Sequence, residues 1–158
     1  MDKEDGGLSM YRNILIATDG SEVSGKGVEA GLGIAKASGA NVTVITVSEP
    51  FPTYDLASSV GLFADQKAIE SYDANCGKIA DAFLAAAKTA AAASQVACET
   101  LYVANSVPAK AILDAARFRS CDLIVLASHG RHGLERFLLG SQATRVVQSA
   151  ETSVLVVR

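Results

Sequence analysis

The stretch Asn13-Ile-Leu-Ile-Ala-Thr18, followed at once by Asp19-Gly20-Ser21, decides how the rest of the chain is read. A short apolar run with no polar alternation, ended by a turn pair, is the pattern of a strand buried on both faces of a parallel sheet. Ser21 then offers an N-cap to a helix from Glu22 to Ser38, with Val28, Leu32 and Ala35 on one stripe and Gly39 just past its end. Gly25, Gly27, Gly31 and Gly33 each weaken that helix by ~1 kcal/mol relative to Ala. Close packing of helix on sheet is the expected reason for them.

Outward from this unit the pattern repeats. Asn41 to Val47 is a second strand, and Ser48 to Leu62, with Pro50 and Pro52, a loop. An Ala-rich helix runs from about Ala64 to Ala93, the alanines being good helix formers. Glu99 to Val103 makes a third strand. Pro108 suits the first turn of a helix ending near Phe118, with a cap at about Ser106. Asp122 to Ala127 is a fourth strand, Ser128 to Leu139 a loop, Ser141 to Ser149 a helix and Ser153 to Val157 a fifth strand. Met1 to Ser9 is polar and reads as a disordered tail, which leaves one domain over residues 10–158. Five strands alternating with helices predict an α/β fold, a doubly wound parallel sheet of Rossmann-like type with helices on both faces. In such sheets a ligand sits beyond the carboxyl ends of the strands, where the strand order reverses.

Composition bounds the function. The chain has 158 residues, 49% hydrophobic and 20% charged, as expected of one globular domain. Its net charge of −3 speaks against a nucleic-acid partner. The balance is uneven: net −6 over residues 1–109 and +3 over 110–158, so an anionic ligand would suit the last third. Cys76, Cys98 and Cys121 have no CxxC spacing; they fit a reducing compartment and are expected to be buried, inert thiols. There is no apolar run of ~18 residues to span a membrane, and the acidic start is no signal peptide, so no membrane partner is expected and the cytosol is the expected location.

Two loops could hold phosphate. Gly20 to Gly27 matches the GxxxxGK part of a P-loop, but Gly27 lacks the hydroxyl, Glu22 puts a carboxylate in the cradle, and Ser21 starts a helix too early. The other, Ala127 to Ser141, lies between the fourth strand and the last helix. Gly130 and Gly133 let a ligand approach the main chain, Gly140-Ser141 opens a helix whose free N–H groups favour an anion, and Arg131 and Arg136 add charge. A plain flexible connection with Ser141 as a cap fits the spacing equally well.

This second loop resembles the nucleotide loop of the universal stress protein family, whose ATP-binding members carry Gly, two residues, Gly, nine residues, then Gly-Ser or Gly-Thr. Gly130, Arg131 to Leu139 and Gly140-Ser141 match; Ala127 departs at the first position. The start Tyr11 to Ser21, the stretch Asn41 to Pro52, the segment Asp122 to Ser141 and the ending Ser153 to Arg158 are also similar to family sequence. The resemblance implies that Ala17, Thr18 and Asp19 touch adenine and ribose, with Asp19 accepting from the sugar hydroxyls. It implies that Val47 contacts the base and that Leu126 and Ala127 floor the site. His129, Gly130 and Arg131 would turn around ribose and phosphates, and Gly140, Ser141 and Gln142 would cradle the phosphates. His129 reads as a loop hydrogen-bonder rather than a base or metal ligand.

The expected ligand is therefore ATP, with Mg²⁺, bound as a signal that an unidentified protein partner reads. No complete Walker motif, paired-carboxylate constellation or nucleophile elbow is visible, so no catalytic residue is assigned, and hydrolysis is expected to be very slow or absent. Alternatives are a dimeric interaction module without nucleotide, a flavin binder (disfavoured because no aromatic residues cluster after the strands) and an adenylating or phosphate-releasing enzyme. Ser153 to Val157 is apolar on both faces with no protecting charge before Arg158, which suggests an edge strand pairing with its copy in a homodimer; family members commonly dimerise in this way.

Overall fold

A computed structural model describes residues 10–52, 66–129 and 139–158. The expected tail Met1 to Ser9, residues 53–65 of the expected loop after the second strand and the following helix start, and residues 130–138, with Gly130 and Arg131, lie outside the described residues.

Five strands are seen: β1 (Asn13–Ala17), β2 (Asn41–Val47), β3 (Cys98–Val103), β4 (Leu123–Ala127) and β5 (Ser153–Val157). They pair in the order β3-β2-β1-β4-β5, every pair parallel. Among the described residues four helices join them: α1 (Glu22–Ser38), α2 (Gln66–Ala93), α3 (Pro108–Phe118) and α4 (Ser141–Ser149). The doubly wound parallel sheet is as the sequence predicts.

Alternation along β1 feeds two cores. Ile14 and Ile16 point to one face, where Val28, Leu32 and Ala35 of α1 and Leu84, Ala87 and Ala91 of α2 cover them. Leu15 points to the other, under Ala109, Ile112, Ala115 and Ala116 of α3 and Ala143 and Val146 of α4. Both faces being dry is why β1 carries no polar side chain between Ile14 and Ala17.

Small residues let the helices lie close. A Cβ at Gly31 would come within 2.8 Å of Ile16 Cγ1, so this glycine is required by the packing of α1 on the sheet. Gly25 and Gly33 face no atom within 4 Å, and the packing explanation fails for them. Gly39 ends α1 at φ 68, the left-handed cap conformation expected of it.

Other local expectations shift. Thr18 lies just beyond β1, Asp122 precedes β4, and Cys98 rather than Glu99 begins β3. Asp122 instead accepts the Arg12 and Asn13 N–H groups through Oδ2 and Oδ1, at 2.8 and 3.1 Å. Ser106 does not cap α3; the N-cap is Val107, which has no side-chain acceptor. The three cysteines are half-buried rather than buried. Burial still pushes the Cys98 and Cys121 thiols above their ordinary value.

Candidate functional site

The chain leaves β1 toward β2 and leaves β4 toward β5 on the opposite side, so the strand order reverses between β1 and β4. At the carboxyl ends of these strands opens a cleft of about 640 Å³. Ten of the residues singled out from the sequence line it: Ala17, Thr18, Asp19, Val47, Leu126, Ala127, His129, Gly140, Ser141 and Gln142.

The β1 wall is a tightly bonded turn. Asp19 Oδ1 accepts from the Ser21 N–H at 3.0 Å and the Ser21 hydroxyl at 2.6 Å. Ser21 Oγ in turn accepts the Ser24 N–H at 3.2 Å, closing the N-cap of α1. Buried Thr18 holds the turn from below: its N–H donates to the Ile45 carbonyl at 2.9 Å, and its hydroxyl lies 3.1 Å from Ser24 Oγ. Gly20 sits at φ +75, and a Cβ there would run into the Phe83 ring of α2. This turn has no room to wrap a phosphate. Gly25, Lys26 and Gly27 are inside α1, and Lys26 pairs with Glu22 at 3.6 Å, so the P-loop reading fails.

Hydrogen bonds of the main chain build the β4 wall. The Ser128 N–H donates to the Val157 carbonyl, and the Gly140 N–H donates to the Ser128 carbonyl, both at 2.7 Å. The second bond ties the two ends of the loop together. Ser128 Oγ lies 3.0 Å from His129 Nδ1, which gives the imidazole a neighbour within the loop itself. Gly140 is the N-cap of α4 and supplies no side-chain cap, and Ser141 and Gln142 at this end of the helix line the cleft. A Cβ at Gly140 would stand 3.2 Å from the Ser128 carbonyl oxygen, so the loop closure by itself favours glycine here. Ala127 is not among the residues with positive φ; its methyl replaces the expected glycine without backbone strain.

A third wall escaped sequence reasoning. Tyr72, Cys76, Ile79, Ala80 and Phe83 of α2 line the cleft, together with Ser48, Glu49 and Tyr102. Their spacing along α2 is that of one helical face, a signal present in the sequence. The Tyr72 hydroxyl donates to the Glu49 carbonyl at 3.3 Å, and the Phe51 ring meets Tyr72 edge-on at 5.3 Å. Burial pushes the Tyr72 phenol above its ordinary value, and Cys76, Glu49 and Asp73 add to the shift. Ser48 Oγ and Tyr102 Oη are 2.8 Å apart. Aromatic residues therefore do gather at the cleft, contrary to the expectation from the strand ends alone.

Among the described residues, no lysine or arginine lines the cleft. Attraction for an anion there rests on N–H groups and helix N-termini. No group of three His, Cys, Asp or Glu side chains that could hold a metal converges among the described residues. No described helix is long and apolar enough to cross a membrane.

Comparison with known proteins places this architecture. Residues 10–158 match the sequence model of the Universal stress protein family. The universal stress protein MJ0531 of Methanocaldococcus jannaschii is 35% identical over 154 residues, covering 96% of this chain and 85% of that protein. Among solved structures, the hypothetical protein MJ0577 superposes with a TM-score of 0.76 at 22% identity, covering 94% of this chain and 96% of its own. A universal stress protein in complex with cAMP superposes with a TM-score of 0.65 at 26% identity, covering 94% and 97%.

Proposed function

The chain belongs to the universal stress protein family, and from that premise we propose that it binds ATP in the cleft between β1 and β4 as a stress-response signalling module. The observation that carries this reading is the meeting of two unlike walls at the switch point. On one side is the Asp19 carboxylate, held by Ser21; on the other is the start of α4, with no side-chain cap. A carboxylate accepts from ribose hydroxyls, and a helix N-terminus receives phosphate. Val47 and the α2 face give the base an apolar and aromatic surround. The relative bound to cAMP supports an adenine nucleotide as the ligand class.

Gly130 and Arg131 complete the loop in this reading, beside the phosphates. Mg²⁺ enters on the ligand's phosphates, because the described cleft residues offer no ready-made metal cage. Among the described cleft residues no complete acid–base constellation is assembled around the Ser128–His129 pair; in this reading hydrolysis is very slow and binding is the function. The bound state is read by a protein partner, and the chain works as a homodimer through β5, the edge strand.

A second reading, a dimeric module without nucleotide, is favoured by the lack of a described cation in the cleft. The absorbance spectrum of protein purified without added ligand, chromatography of what it releases, and calorimetry with ATP decide between them. Released adenine nucleotide, or binding of added ATP in the micromolar range, supports the first reading. An empty protein that ATP does not titrate overturns it.

A further inference from the structure

Helix α3 has an unusual start. Its N-cap, Val107, offers no side-chain acceptor, and Pro108 follows at the first turn. The orphan N–H of Ala109 is instead accepted by Gln142 Oε1, at 3.0 Å, from the first turn of α4. One side chain thus bridges two helix N-termini, and both Gln142 and Pro108 lie on the cleft wall.

That bond fixes the orientation of the carboxamide. A backbone N–H needs an acceptor, so the oxygen must face Ala109, and the NH₂ end is the other terminus of the group. The Gln142 side chain makes no other hydrogen bond among the described residues. The amide dipole is therefore aligned with its negative end on the positive N-terminus of α3 and its positive end outward, which strengthens it as a donor.

We infer that Gln142 is a specificity-determining residue of the cleft: its side-chain NH₂, held by the Ala109 N–H, donates to a phosphate oxygen and selects phosphorylated ligands over the bare nucleoside. This rests on the nucleotide reading given above. It differs from a main-chain cradle, since a main-chain cradle would be indifferent to the side chain at this position. It also supplies a donor in a described cleft without Lys or Arg.

Two substitutions separate the roles. In Gln142→Glu the carboxylate still accepts the Ala109 N–H, so α3 keeps its cap, but the donor is gone and a negative charge replaces it. Gln142→Met has similar length and no charge, and loses both cap and donor. Calorimetry with ATP and with adenosine, and thermal melting without ligand, are measured for the wild type and both variants. The expected result is a roughly 10–100-fold loss of ATP affinity in both variants, the range for a hydrogen bond to a charged group. Adenosine affinity stays within about twofold of wild type. The melting temperature falls for Gln142→Met and holds for Gln142→Glu. Undiminished ATP affinity in Gln142→Met overturns the inference while leaving the nucleotide reading intact. Equal losses for ATP and adenosine overturn it too, as they would mean a purely structural bridge. A wild type that binds neither ligand overturns the nucleotide reading, and the inference with it.

Discussion

Gly31→Ala puts the packing of α1 to a quantitative test. In an open helix position, Gly→Ala gains ~1 kcal/mol of helix propensity. At Gly31 the new methyl would meet Ile16 Cγ1 at 2.8 Å and Val125 Cγ2 at 3.6 Å. Ile16 and Val125 have no exposed surface, and because the clash reaches Cγ1, rotating the tip of the Ile16 chain does not clear it. Overpacking of this kind costs ~1–3 kcal/mol, which cancels or outweighs the propensity gain. Gly33→Ala is the internal control: nothing lies within 4 Å of its Cβ, so the gain is uncompensated. The two variants should thus differ by ~1–3 kcal/mol. In a domain of this size each kcal/mol moves the melting midpoint by ~2–4 °C. Thermal and urea denaturation followed by far-UV circular dichroism measure both. Gly33→Ala is expected above the wild type and Gly31→Ala level with it or below. If Gly31→Ala proves as stabilising as Gly33→Ala, α1 does not press on β1 as described.

Other perturbations address the site and the edge. Asp19→Asn keeps an oxygen for the Ser21 N–H but loses the carboxylate, so calorimetry should show ATP weakened by ~1–3 kcal/mol with little change for tripolyphosphate; equal losses would make Asp19 a turn residue only. Cys98 and Cys121, with thiol pKa values raised by burial, stay protonated at neutral pH. Peptide mapping after brief iodoacetamide treatment at pH 7 should find both unmodified and their alkylation accelerating as the pH climbs past 9, the thiolate being the nucleophile; fast labelling at pH 7 contradicts their burial. Val156→Lys puts a charge on β5 and is expected to give monomers by light scattering where the unmodified chain gives dimers. A monomeric wild type at micromolar concentration ends the homodimer proposal.

Most of the fold was legible because its signals are local. Ile14 to Ala17 is apolar at every position, and Ser21 and Gly39 cap α1 through residues one step from its ends. Asp19 could be placed in the cleft because it lies two residues past the end of β1. What escaped depends on contacts far apart in the chain. Ser106 was the natural cap for α3 by spacing, but the acceptor for Ala109 comes from Gln142, 33 residues on, which no local rule can find. Tyr72, Cys76 and Phe83 were hidden for a different reason. Helix α2 is recognised by its alanines, and composition does not say which face turns toward the strand ends. Gly31 and Gly33 are alike in the sequence and are told apart only by what stands opposite them.

The hydrogen bond from the Gly140 N–H to the Ser128 carbonyl has a consequence for how this scaffold can diversify. It fixes the distance between Ser128 and Gly140, so the ends of the chain between them are held in place whatever that chain's length. Loop-closure entropy grows slowly, by ~0.6 kcal/mol for each doubling of length. Insertions and replacements inside the clamp should therefore be inexpensive for folding. The same clamp makes the segment a ready place for an engineer to graft a foreign recognition loop, with Ser128 and Gly140 kept as its fixed ends.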